Sequence, residues 1–353
     1  MQGTTVINGD LFGGGNAAAN GTEATKTSNP STVTTLITGG TIKGDVYGAA
    51  NTSVVYGNTI VKIGSNAVND NTMVKNNIKI GGNPKQGTVF GGGKSNTAGS
   101  ENYDFTFESV TGNANITSVG DTSIDKMTVG GNFTNSSKNT KITTKLAVTG
   151  NTVIEAVEAV TAKEVKTDKL TLNSSSADIT TLNTVKDADI TTSGNTKLGT
   201  ATIGANLTNN SGSTNIIIAN VTGNANIASA GDTSIDTMTV GGNFTNSSNN
   251  TNIMTADIIG NADIISTGNT NIDKMNINGI FNSKSNNTAI TAVLNADKDV
   301  NITADNNIQI ADANIKQDLN VSSINTNISE IALDGNINAN VDNLNVNTSN
   351  DLH

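Results

Sequence analysis

Residues 110–144 read VTGNANITSVGDTSIDKMTVGGNFTNSSKNTKITT, and residues 221–255 repeat that stretch with 29 of 35 positions identical. A third copy follows from Ile258 and contains GNADIISTGNTNIDKMNINGIFN; a weaker fourth begins at Gly194 as GNTKLGTATIGANLTNN. Measured from the first copy, the offsets are 111, 148 and 74, all multiples of 37. Self-similarity at a fixed period marks a repeat architecture. Inside each block, Gly112-Asn113, Gly131-Asn132 and Gly150-Asn151 recur at a spacing of 19, with apolar residues alternating between them. Short period-2 runs separated by Gly/Asn turns suit one turn of a β-solenoid.

A solenoid must stack equivalent positions, and the sequence offers five apolar rows. They are Ile116, Ile190, Ile227, Ile264; Ile124, Leu198, Ile235, Ile272; and Val129, Ile203, Val240, Ile277. Phe133, Leu207, Phe244, Phe281 form the fourth row, and Ile142, Ile216, Ile253, Ile290 the fifth. A disordered chain would not keep five rows in register. The expected fold is therefore all-β, a parallel β-helix with coils of about 18–19 residues.

Composition supports this reading and removes many alternatives. Of 353 residues, 34% are hydrophobic, 3% aromatic and 14% charged, with 58 Asn, 53 Thr, 36 Gly and 2 Pro. A narrow core touched by every second strand residue needs little apolar content. Thr and Ile suit strands, whereas Asn and Gly tolerate tight corners. Stacked Asn side chains can also hydrogen-bond along the axis. There is no Cys, so disulfides, zinc ribbons and thiol nucleophiles are excluded. The one histidine, His353, removes Ser-His-Asp relays and multi-His metal sites. A net charge of −10 with no Arg opposes nucleic acid as a partner. No stretch reaches the ~18–20 apolar residues of a membrane span. The start, Met1-Gln2-Gly3-Thr4-Thr5, lacks the basic and apolar regions of a signal peptide.

Three regions follow along the chain. Residues 1–108 are Gly-rich coils with longer loops, expected at 17–31, 64–78 and 95–108. They carry three editions of one motif: residues 9–16 (GDLFGGGN), 44–51 (GDVYGAAN) and 87–94 (GTVFGGGK), spaced 35 and 43 apart. These spacings suggest two coils plus loops. The third edition continues into Ser95, but Thr88 stands where a phosphate loop needs its first glycine, which favours tight solenoid corners. Residues 109–292 hold the 37-residue double coils. Within them 153–169, VIEAVEAVTAKEVKTDK, interrupts the repeat and reads either as a short amphipathic helix or as an enlarged coil. Residues 293–353 continue as Gly-poor coils with longer strands. No polar cap closes the sequence, so a longer natural protein is expected.

Residues 298–321, with the 19-residue Gly-Asn units upstream, resemble the haemagglutinin-type repeats of filamentous haemagglutinin-like exoproteins. The Gly-Asp-Val-Tyr-Gly motif resembles those of bacterial autotransporter and adhesin passengers. The resemblance covers most of the chain at repeat level. It implies a right-handed parallel β-helix, secreted to or displayed on a bacterial cell surface, acting in attachment, biofilm or competition. Neither a two-partner secretion domain nor a C-terminal barrel translocator is evident, which again suggests a segment of a larger exoprotein.

The leading functional expectation is thus a non-enzymatic adhesive or structural rod. At ~4.8 Å per coil, about 19 coils would reach roughly 90 Å. Expected partners are host or bacterial surface glycans or proteins, with self-association into fibres as a further option; no cofactor or metal is expected. A localised ligand site would lie in 100–109, where Tyr103, Phe105 and Phe107 mix with Glu101, Asp104 and Glu108 as in sugar-stacking sites; the alternative is a core strand joining the two coil types. A polysaccharide-degrading enzyme or tailspike-like protein would have to use Glu155, Glu158 and Glu164. An ice-binding Thr ladder is interrupted, because Thr200-Ala201-Thr202 aligns with Lys126-Met127-Thr128 and Asn276 replaces Thr128 in the third copy. Asp121 with Asp232, and Asp125 with Asp236 and Asp273, recur in register; stacked carboxylates would need screening or a bridging cation.

Overall fold

The computed structural model describes residues 1, 4–14, 32–37, 40–44, 46–48, 58–63, 78–80, 89–90, 103–106, 113–117 and 121–347. Two compact units divide the chain, Met1–Thr181 and Leu182–His353. All regular elements among the described residues are strands, paired in parallel, and they account for about 12 coils of a β-solenoid. No helix among them is long and apolar enough to cross a membrane.

In the first unit the three Gly-rich motifs stack directly on one another. Leu11 and Phe12 pair with Val46 and Tyr47, which pair in turn with Val89 and Phe90. The Phe12 and Tyr47 rings lie 4.7 Å apart at 10°, a stacked geometry. Each motif spacing, 35 or 43, is therefore one turn of the coil, not two. Gly13 is required here, because a Cβ on it would overlap the Gly48 carbonyl oxygen. The expected loop at 17–31 lies outside the described residues, as does most of 64–78, whose last residue begins strand Ile78–Ile80; of the loop expected at 95–108, residues 103–106 are instead a strand and the others lie outside the described residues.

From Ala114 onward each coil is shorter. Phe133 pairs with Thr152, and Thr152 with Leu170, so successive coils are offset by 19 and 18 positions. The 153–169 stretch is neither a helix nor an enlarged coil. It forms strands Thr152–Ala156 and Ala159–Thr167 within a coil of ordinary size. Its period-2 pattern decides the matter: Ile154, Val160, Ala162 and Val165 are buried, while Glu155, Lys163 and Lys166 are exposed. The β-branched residues fit this better than a helix.

The second unit repeats the plan with strands that lengthen toward the C-terminal side. Strands of five to nine residues give way to Phe281–Ala296, Val300–Ile315 and Leu319–Leu333. The long strands bend at register shifts, for example between Ile290 and Leu294, so one strand contributes to two sides of the coil.

All twenty residues of the five expected rows are at most 2% exposed. Their arrangement differs from a simple 37-residue stack, because two coils fit in each period. The Ile235 and Ile253 rows are one column: Ile216, Ile235, Ile253, Ile272 and Ile290 lie on successive coils. The Phe row alternates with alanine, giving Ala225, Phe244, Ala262, Phe281. This large-small alternation fills a column of constant width.

The remaining row alternates with buried asparagine. Asn246 lies between Ile227 and Ile264 and is 1% exposed; Asn209 and Asn135 occupy equivalent places. The Asn246 amide donates to Ser248 Oγ at 3.2 Å and Thr251 Oγ1 at 2.7 Å, while its Oδ1 has no protein partner. These hydroxyls continue along the axis. Thr251 lies 2.7 Å from Ser266 Oγ, to which Thr270 donates at 3.0 Å. One interior corner of the coil is therefore polar and hydrogen-bonded.

An orphaned buried oxygen costs about 1–3 kcal/mol. Position 172, one period after Asn135, already carries a buried leucine paired with Ile154. Asn246→Leu is therefore expected to raise stability by about 1 kcal/mol in urea unfolding. A loss of more than about 1 kcal/mol would contradict this account of the site.

Candidate binding face

The Gly-Asn dipeptide builds the corner from which the outward faces are hung. The backbone N–H of Asn243 donates to Asn224 Oδ1 at 2.8 Å, and that of Asn261 donates to Asn243 Oδ1 at 2.8 Å. The ladder continues when Ile280 N–H donates to Asn261 Oδ1 at 2.9 Å. The preceding glycine follows from this contact. A Cβ on Gly242 would overlap Asn224 Oδ1 and lie 2.9 Å from the Gly223 carbonyl oxygen. In the first unit Asn132 Oδ1 accepts from Asn151 N–H at 2.9 Å in the same way.

Three outward columns of carboxamides rise from these corners in the second unit. Asp263, Asn282, Asn301, Asn320 and Asn338 form one, each Asn donating Nδ2–H to the residue one coil before it. Asp257, Asn276, Asn295 and Asn314 form another. Asn269, Asn287, Asn307, Asn325 and Asn343 form the third, with bonds of 2.8–3.0 Å.

The third column borders a second outward row, Asn252, Asn271, Ala289, Gln309, Asn327 and Asn345, joined coil to coil by strand pairing. Counted from Asn250, which itself donates Nδ2–H to Asp232 one coil earlier at 2.8 Å, this face presents twelve positions: ten Asn, one Gln and one Ala. None is charged. A groove of about 580 Å³ is lined by residues of both rows from Asn287 to Asn345. The ladders of the other two faces start at carboxylates in the same way, Asp263 and Asp257; the first also carries Lys284 but is uncharged from Asn301 to Asn340, where it lines a groove of about 740 Å³, and the second carries Lys274, Asp312 and Glu330. Each carboxamide in a ladder uses one N–H and one acceptor site, leaving a second of each for a partner. Such a face can recognise neutral hydrogen-bonding groups but offers no acid, base or nucleophile.

The residues singled out from sequence lie elsewhere. Strand Tyr103–Thr106 places Tyr103 opposite Thr122 and Phe105 opposite Ile124, both of which are buried positions. Phe107 lies outside the described residues, as does Gly93-Lys94-Ser95. The three glutamates do not form a cluster. Glu155 is exposed on strand Thr152–Ala156. Glu158 sits at a corner 3.4 Å from Lys138 Nζ, and Glu164 lies 2.5 Å from Lys145 Nζ. Among the described residues no group of three or more His, Cys, Asp or Glu is placed to hold a metal ion.

The recurrent aspartates are not direct neighbours either, because their offsets are 111 or 37 residues and even a single 37-residue period skips a coil. Asn139 donates Nδ2–H both to Asp121 at 2.9 Å and to Glu158 at 3.0 Å, so a carboxamide separates the carboxylates. The Thr column expected for ice binding is interrupted in the structure as well, running Thr239, Asp257, Asn276. Sequence reasoning missed the Asn250–Asn345 face; its signal was Asn recurring at steps of 18, 19 or 20 from Asn250 onward.

No protein-family model, curated protein or solved structure matches this chain.

One carboxylate is tuned by the coil. Asp125 Oδ1 accepts from Thr144 Oγ1 at 2.7 Å and from Thr143 Oγ1 at 2.8 Å, and these bonds hold its pKa below the usual carboxylate value. A lowered folded-state pKa favours the fold above the unfolded value of ~3.9 and loses that contribution as pH falls through the folded value. Thr143→Val with Thr144→Val should raise the Asp125 pKa in an NMR titration. The double variant should also lose more stability at neutral pH than in acid. An unchanged titration midpoint would contradict the assignment.

Proposed function

We propose that this chain is an extracellular adhesive or structural solenoid of the filamentous haemagglutinin or autotransporter-passenger type, displayed at a bacterial surface. The observation that carries the reading is the uncharged carboxamide face repeated over successive coils. A stack of parallel coils presents identical groups at ~4.8 Å intervals. Weak contacts made by such groups multiply through avidity, without requiring one deep pocket. Its partners would be neutral, hydroxyl-rich or amide-rich surfaces such as host or bacterial glycans and proteins. The 100–109 segment, with Tyr103, Phe105 and Phe107, remains a second proposed contact region.

The test is incubation of the purified chain on an array of host glycans and matrix proteins, with bound protein and newly released sugar ends read from the same wells. Retention without released ends is the expected result. Release of sugar ends would replace the adhesin by an enzyme, with Glu155, Glu158 and Glu164 as the first residues to substitute. Absence of retention on every surface would contradict the adhesive reading.

A further inference from the structure

The chain contains three Asn-Gly pairs, at 8–9, 20–21 and 278–279. The last lies at a corner of the second unit where successive coils stack residue on residue. Thr222, Gly241, Ile259, Asn278 and Asp297 occupy equivalent places, each donating its backbone N–H to a carbonyl one coil earlier. The position after them is glycine at 223, 242, 260 and 279. Glycine is obligatory at 279, because a Cβ there would overlap the Gly260 carbonyl oxygen and Asn261 Oδ1. The residue before it is free to vary, from Thr to Ile to Asn.

Asn278 combines two features. Its carboxamide is exposed and makes no hydrogen bond among the described residues, whereas Asn276 and Asn282 to either side are held in ladders. The backbone N–H that follows it is also released. Gly223, Gly242 and Gly260 donate theirs to carbonyls one coil earlier at 2.8–2.9 Å, but Gly279, which is buried, has no such bond among the described residues. An unpaired N–H on a buried residue is unfavourable. A free carboxamide stands beside it in the chain, and glycine has no side chain to block the approach.

We infer that Asn278-Gly279 is a self-modification site, at which the folded chain deamidates and loosens its own corner. The Gly279 nitrogen attacks Asn278 Cγ and gives up its proton to solvent; Nδ2 leaves as ammonia and a cyclic imide closes. The imide has no N–H, so ring closure removes the unpaired donor. Water then opens either imide C–N bond, leaving an aspartyl or an isoaspartyl residue at 278. The new carboxylate stands one coil from Asp297, which already pairs with Lys316 at 2.6 Å. The isoaspartyl form also adds a carbon to the backbone, directly before the glycine that has no room against Gly260 and Asn261. The bond from Ile280 N–H to Asn261 Oδ1, 2.9 Å in the unmodified chain, is the one that opens. None of this depends on the adhesive reading, since the reaction needs only the chain and water.

The test holds the intact, folded chain in mildly alkaline water enriched in heavy oxygen, then digests it after lysine in ordinary water, so that only earlier deamidation carries the label. Residues 275–284 form one peptide between Lys274 and Lys284, containing Asn276, Asn278 and Asn282. Fragmentation should place at least tenfold more label at 278 than at 276 or 282. Ile259→Asn sets the same dipeptide before Gly260, and Thr222→Asn sets it before Gly223, both at exposed positions with the glycine N–H bonded. With circular dichroism matching wild type, each engineered pair should label at least tenfold more slowly than 278 in the same chain. Label at 278 no faster than at 276 and 282, or as fast at the engineered pairs as at 278, would overturn the inference. Hydrogen exchange at Ile280 should be faster in the converted chain than in fresh chain, and unchanged in equally aged Asn278→Thr. Unaltered Ile280 exchange in converted chains would overturn the loosening of the corner.

Discussion

The fold depends on axial register: every coil must present its backbone to the coil before it at the same residue positions. The corner bond from a backbone N–H to the Asn Oδ1 one coil earlier enforces this. Asn224, Asn243 and Asn261 repeat it on consecutive coils. The same oxygen occupies the space that a Cβ would need at Gly242, so the Gly-Asn pair is one device with two halves. A slip of one residue would break the corner ladder and turn the alternating inward column outward.

Once register is fixed, the interior becomes a set of columns with their own rules. The Ile column needs only repetition, whereas the Phe column needs an alanine on the intervening coil. The Asn column is less economical. Asn135, Asn209 and Asn246 each leave a buried oxygen unpartnered while anchoring neighbouring hydroxyls. Outside, the same geometry converts single Asn residues into continuous ladders. The uncharged Asn250–Asn345 face is therefore a consequence of stacking, since no one coil contains more than two of its positions.

Much of this was legible because apolar residues report their own burial. The Ile and Phe rows follow from alternation and spacing alone. Asn carries no such label: it serves at corners, in outward ladders and in the core, and only the pairing separates Asn243 from Asn246. The 37-residue period also concealed that Ile235 and Ile253 share one column, since the better sequence match skips a coil. Helical spacing in 153–169 competed with period-2 alternation, and the neighbouring coils decided in favour of strands. At the N-terminal side, the motif spacings gave no measure of how much chain one turn consumes. The aromatic segment attracted attention because Tyr and Phe are rare here, yet Phe105 stands in register with Ile124.

The central claim is that each sequence step of 18 to 20 advances the chain by one coil along a single axis in the second unit. Thr208, Asn226, Thr245, Asp263, Asn282 and Asn301 form one column over five steps. Paired spin labels at 208 with 282, and at 208 with 301, test it by pulsed electron resonance. Narrow distributions near ~19 Å and ~24 Å are predicted, differing by the ~4.8 Å of one coil. Distances that fail to grow with coil number, or broad distributions at both pairs, would contradict it.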